Sequence, residues 1–232
     1  MANISEQVLE IRYKPNAKIL DLRGTWAEAI SEHIALPEWR IIENRVDVFD
    51  KDFKERAFVG FRNAGYVVHD APTNNFFLER AAKYVKHLFS LTGFGKNIYV
   101  ERIGIRLKIC FEFSGTFDEL LNKYETNYLS LSAKAKNIFK AELKDMSGPL
   151  DFQDSHGNFN TLSGPITMEQ MPQYFEGKKE LPTLGLFFDI DYWCNPKEKF
   201  DEKETLKKID HFCSSIRVKV EGLYTLIMDD KQ

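Results

Sequence analysis

Three features of this sequence predict an α+β fold: an antiparallel sheet with helices packed on one face. From Ile103 to Phe113 the residues Ile103, Ile105, Leu107, Ile109, Phe111 and Phe113 alternate with mostly charged neighbours, the pattern of a strand with one buried and one wet face. From about Asp201 to Ile227 apolar residues recur at helical spacing and predict a long C-terminal helix. The order of elements, one strand, one helix, about three strands, one helix, occurs twice, which suggests a pseudo-duplicated βαβββα unit.

Each element has a local reason. Gln7 to Tyr13 alternates apolar and polar residues, and Pro15-Asn16 ends that first strand. Ile19, Leu22, Trp26, Ile30 and Ile34 fall on one face of a helix over Ala17 to His33, closed by Pro37. Trp39 to Phe49, Arg56 to Arg62 and Gly65 to Asp70 read as a meander of short strands. Thr73 is the expected N-cap of a helix that carries Leu78, Ala81, Val85 and Leu88 on one face and stops at Gly93. Ile98 to Phe113 is the strongest strand. Phe117 to Tyr128 is helical, with Asp118 and Glu119 where the helix dipole favours them. Asn137 to Met146, Pro149 to Leu162 (broken by a turn at His156-Gly157-Asn158) and Leu181 to Trp193 read as extended. The join between the repeats falls near Gly93 to Asn97, so two α+β halves, 1–95 and 96–232, are expected to pack as one globular unit.

The 232 residues are 43% hydrophobic and 29% charged, values of a chain that folds around a core. A formal net charge of −3 provides no global field for a polyanion and disfavours nucleic acid as a partner. Cys110, Cys194 and Cys213 form no C-x-x-C pair and two of them sit in apolar runs, so buried reduced thiols are expected. Met1 to Glu10 lacks the basic start and apolar stretch of a signal peptide, and no span of membrane length occurs. A cytoplasmic protein that needs no cofactor and no membrane is the expectation.

Five features could carry chemistry. Asp189 and Asp191, two apart on a strand, share a face and could hold a hard cation such as Mg²⁺; the competing reading leaves them facing water. His156 stands in a polar turn. His211 lies two residues from Cys213 on a helix, so the two point apart and form no nucleophilic pair. Gly93-Phe94-Gly95-Lys96 lacks the spacing and the preceding strand of a phosphate loop. Arg102, Arg106 and Lys108 share one strand face, and Arg12 occupies the matching strand of the other half. That basic face could bind phosphate or acidic partners, with Tyr13 and Tyr99 near enough to stack bases, unless Glu10, Glu101 and Glu112 simply balance it. Finally Ile209, Cys213, Ile216, Val220, Leu223 and Ile227 recur with a 3.5-residue period, so the terminal helix could supply a dimer seam or cover its own sheet.

The opening Glu6 to Pro15, the central Val100 to Leu107, and the closing Phe187 to Tyr192 followed by Ile209-Asp210-His211-Phe212 resemble a sporadically distributed bacterial family of uncharacterised proteins. The family's usual tyrosine after the central Leu-Arg pattern is Lys108 here. The resemblance implies no activity and no catalytic residue. It does imply the patchy occurrence of accessory genes, such as those of phage defence or toxin systems.

These readings point first to a non-enzymatic binding or assembly module with a protein partner or self-association. A nucleic-acid or nucleotide binder using the basic strand face is the alternative, and a metal-dependent hydrolase using Asp189 and Asp191 the second.

Overall fold

The computed structural model describes residues 3–95, 98–132, 137–175 and 180–229. In chain order the elements are β1 (Asn3–Tyr13), α1 (Lys18–Ile34), β2 (Glu38–Ile42), β3 (Arg45–Phe49), β4 (Glu55–Gly60), β5 (Asn63–His69) and α2 (Phe76–Ser90). There follow β6 (Tyr99–Glu112), α3 (Phe117–Asn127), β7 (Gly148–Gln153), β8 (Asn158–Thr167), β9 (Leu184–Cys194), β10 (Glu198–Lys199) and α4 (Glu202–Met228). All ten strands join one antiparallel sheet in the order β2-β3-β4-β5-β1-β6-β9-β8-β7, with β10 pairing the end of β6.

The longest ladder of the sheet lies at the centre of this order. Each half sends its opening strand to the centre, where β1 and β6 pair from Asn3 with Phe111 to Tyr13 with Val100. The remaining strands fan out to opposite edges.

The helices lie on one face because alternate residues of every central strand are apolar. Leu9 and Ile11 of β1, Ile103 and Ile105 of β6, and Phe188 and Ile190 of β9 are buried under Trp26, Phe77, Tyr84 and Phe212. A fully buried side chain of this size contributes about 1.5–3 kcal/mol. Buried tyrosines keep their hydroxyls satisfied: Tyr84 donates to the Phe58 carbonyl at 2.7 Å and Tyr124 to that of Ser163 at 2.8 Å.

Several details differ from the sequence reading. The Trp39 to Phe49 run is a hairpin, because Glu43-Asn44 turns the chain between β2 and β3, so the first half carries four strands after α1. Asn137 to Met146 is no strand. Residues 137–139 are helical and the rest irregular, and Ile138 and Phe139 are 77% and 79% exposed, so nothing pairs with them to fix an extended ladder. Thr73 does not cap α2; Asn75 stands at that position and Thr73 lies in the preceding turn. The surest cap is on α3, where the Thr116 hydroxyl accepts from the Glu119 N–H and the Glu119 carboxylate answers the Thr116 N–H.

The apolar stripe of α4, read as a dimer seam or as the cover of its own sheet, faces the core. Ile209, Cys213, Ile216, Val220 and Ile227 are buried in the core, and Leu223 packs against it. Among the described residues no helix is long and apolar enough to cross a membrane.

Candidate charged sheet face

The face of the sheet opposite the helices gathers the charged partners of the same alternation. Glu6, Glu10 and Arg12 of β1, Arg102, Arg106 and Lys108 of β6, and Asp189 and Asp191 of β9 all project there, in register across three neighbouring strands. The two features read separately from the sequence, a basic face and an acid pair, are therefore one network.

Arg106 grips Asp189 with two hydrogen bonds, the Nε to Oδ1 bond being 2.7 Å. Arg102 reaches Asp191 at 2.7 Å and Glu10 at 3.2 Å, while Arg12 meets Glu10 at 2.7 Å. Lys108 donates to Glu6 at 2.7 Å and to the Tyr174 carbonyl. Asp189 and Asp191 thus each have a guanidinium partner on this face. Among the described residues no group of three or more His, Cys, Asp or Glu side chains is placed to hold a metal ion.

The carboxylates respond differently. Burial acts to raise the pKa of Glu10, but hydrogen bonds from Arg12 and Asn63 and the charges of Arg12 and Arg102 outweigh it and leave it lowered. For Asp191 burial prevails over Arg102 and the pKa is raised.

Arg12, Arg102, Arg106 and Lys108 are each ion-paired with a carboxylate of the same face. Farther along the same face Arg40 (β2), Arg45 (β3) and Arg56 (β4) surround a single carboxylate, Asp47, which is 0% exposed. Arg40 and Arg45 reach it at 2.9 and 2.7 Å. Arg56 forms no ion pair within 4.0 Å with any described residue. Burial draws its pKa below the ordinary value, and Arg45 and Arg40 push the same way against the pull of Asp47.

An open cleft of about 360 Å³ joins the two groups, lined by Glu6, Glu10, Arg12, Arg45, Arg56, Arg102 and Arg106 among others. Its shape follows from glycine. Gly104 stands beside Glu10 in the ladder, and a Cβ there would fall 3.0 Å from that of Trp193 and 3.4 Å from Asp191. Without one, the Arg102 guanidinium lies 5.0 Å over the Trp193 ring. At one end the face is roofed: Met171 and Phe175 cover Ile4, Cys110, Ile166 and Phe187 in a second apolar cluster.

The remaining candidates separate. Tyr13 points away from Arg12 into the core and donates to the Gly60 carbonyl at 2.6 Å, so it stacks on no base. Tyr99 carries Lys14 over its ring. Gly93 and Gly95 have φ of +85° and +47°, a turn's conformation, while Lys96 lies outside the described residues. Cys110 and Cys213 are buried and free, their pKa values pushed up by burial to about 12, which makes both poor nucleophiles.

Sequence reading missed two groupings. His156 and His211, distant in sequence, have ring centroids 4.4 Å apart, and His211 contacts the Tyr192 hydroxyl that donates to Asp154. The Arg40, Arg45 and Arg56 cluster needed the hairpin at Glu43-Asn44, since only that turn brings residues 40 and 45 onto one face. No protein-family model matches the chain, and no curated protein matches it.

Proposed function

We propose that this protein works by binding, as a non-enzymatic module whose open sheet face receives an acidic segment of a protein partner. One observation carries the reading: three arginines cluster around the buried carboxylate of Asp47, and Arg56, which has no ion pair among the described residues, lines the cleft. A carboxylate arriving there meets Arg56 and the Arg45 guanidinium, which lies 4.9 Å over the Phe58 ring. Glu6, Glu10 and Asp191 on the same cleft repel a long polyanion, which favours a short acidic peptide over nucleic acid. The resemblance to a patchily distributed bacterial family directs the search for that partner to neighbouring genes, including those of defence or toxin systems.

The test is fluorescence anisotropy with a labelled oligoglutamate peptide and, in parallel, a single-stranded DNA of equal charge. The peptide is expected to bind, to weaken as salt rises, and to lose roughly tenfold or more in affinity on Arg56→Glu, about 1.4 kcal/mol. Lys203→Glu, at an exposed position of α4 in the helix layer, leaves it unchanged. Tighter binding of the DNA would transfer the site to nucleic acid, and no binding of either would remove the proposal.

A further inference from the structure

The edge strand β2 is uncovered on its outer side among the described residues. All five of its residues are exposed, with Trp39, Ile41 and Ile42 at 45%, 42% and 42%, and among the described residues no strand pairs with its outer side. Large apolar residues on a free edge are what soluble sheets ordinarily avoid, by proline, charge or a covering loop. The opposite edge, β7, does carry a proline, Pro149.

Hydrogen-bond parity tells which groups are offered. Glu43-Asn44 is a two-residue turn, so Ile42 and Arg45 bond each other, as do the pairs Arg40 with Asp47 and Glu38 with Phe49. The N–H and C=O of Trp39 and Ile41 therefore point outward. Glu38 and Arg40 lie on the open face, and Trp39 and Ile41, opposite the buried Val48 and Val46, on the helix face.

We propose that β2 pairs with β2 of a second copy of this chain, antiparallel about a two-fold axis through Trp39. In that register Trp39 meets the partner's Trp39 with both hydrogen bonds made, and the N–H of Ile41 reaches the carbonyl of the partner's Pro37. Pro37 has no N–H to offer in return, so the ladder ends there on either side of the axis. On the open face Glu38 meets the partner's Arg40, and Arg40 the partner's Glu38, so the charges match twice. This complementarity selects a second copy over an unrelated strand. The two sheets become one, helices on the same side.

Sedimentation velocity across the micromolar range tests it. The wild-type chain is expected to show a concentration-dependent dimer. Glu38→Lys and Arg40→Glu should each be monomeric alone, because each sets like charges opposite one another. Mixed, the two variants should dimerise, because each introduced charge then faces the other and the two unaltered side chains face each other as in the wild type. Should Arg40→Glu fold poorly beside Asp47, cysteine cross-linking replaces it: Trp39→Cys oxidises to a disulfide dimer and Ile41→Cys does not. A strictly monomeric wild type, with β2 bare or covered by another protein, overturns the proposal. So does a dimer indifferent to Glu38→Lys, or one cross-linked through position 41 alone.

Discussion

The two faces of this sheet are made by the same strands and obey opposite rules. On the helix side Leu9, Ile11, Ile103, Ile105, Phe188 and Ile190 exclude water; one residue away, Glu10, Arg12, Arg102, Arg106, Asp189 and Asp191 form a charged lattice. Stability on the first face comes from area, which is non-directional, and on the second from pairing, which depends on each partner being present. The lattice is closed over β1, β6 and β9. It is left open at Arg56, and that difference locates the proposed ligand site.

The largest effects compare one residue from each face. Phe212→Ala removes a ring that is 1% exposed from the helix side and should destabilise by about 3–5 kcal/mol. Asp47→Ala removes no comparable area, yet it leaves Arg40, Arg45 and Arg56 without their common counter-ion and should lose about 3 kcal/mol. Urea unfolding of both variants decides the matter. If Asp47→Ala unfolds at the wild-type midpoint, the open face is decoration and the contrast between the faces collapses.

How much of this was legible depended on periodicity. The alternation in β6 and β9 foretold both the buried stripe and the charged one, because the side-chain period of a strand is two. The partnership between the stripes was not legible, since it needs the register that sets Arg106 against Asp191 and Lys108 against Asp189. Arg106 in fact reaches diagonally to Asp189, a choice made by side-chain geometry beyond any pairing rule. The seam of α4 shows the reverse problem: its period was read correctly, but a stripe of apolar residues does not say whether a sheet or a second helix covers it.

A double-mutant cycle on Arg106 and Asp189 sharpens the comparison at smaller scale. The pair is bidentate, but the Arg106 side chain is 47% exposed against 9% for Asp189. Solvent screening limits the coupling to about 1 kcal/mol, and added salt should reduce it further. A coupling that salt leaves untouched would mean that the open face is drier than its exposure indicates.

Acid should separate the two sides of the molecule by the pH at which each weakens. On the helix layer His33 of α1 and His87 of α2 stack with ring centroids 4.0 Å apart. Burial lowers the pKa of both; Lys83 adds to it for His33, and His33 and Lys83 for His87, against a raising contribution from a backbone hydrogen bond at Ala29. A histidine with a depressed folded pKa binds fewer protons than in the unfolded chain, so its contribution is whole above the ordinary value of 6.5 and lost as pH falls below it. Glu10 on the open face behaves as a lowered carboxylate: its contribution holds above about 4.5 and is lost below, while the raised Asp191 runs the other way and offsets part of that loss. Thermal melts from pH 7 to 5 should therefore show a modest decline in Tm that His33→Asn flattens, and that Glu10→Gln leaves in place. A decline that survives His33→Asn, or vanishes with Glu10→Gln, would assign the first acid-sensitive step to the charged face instead of the helix layer.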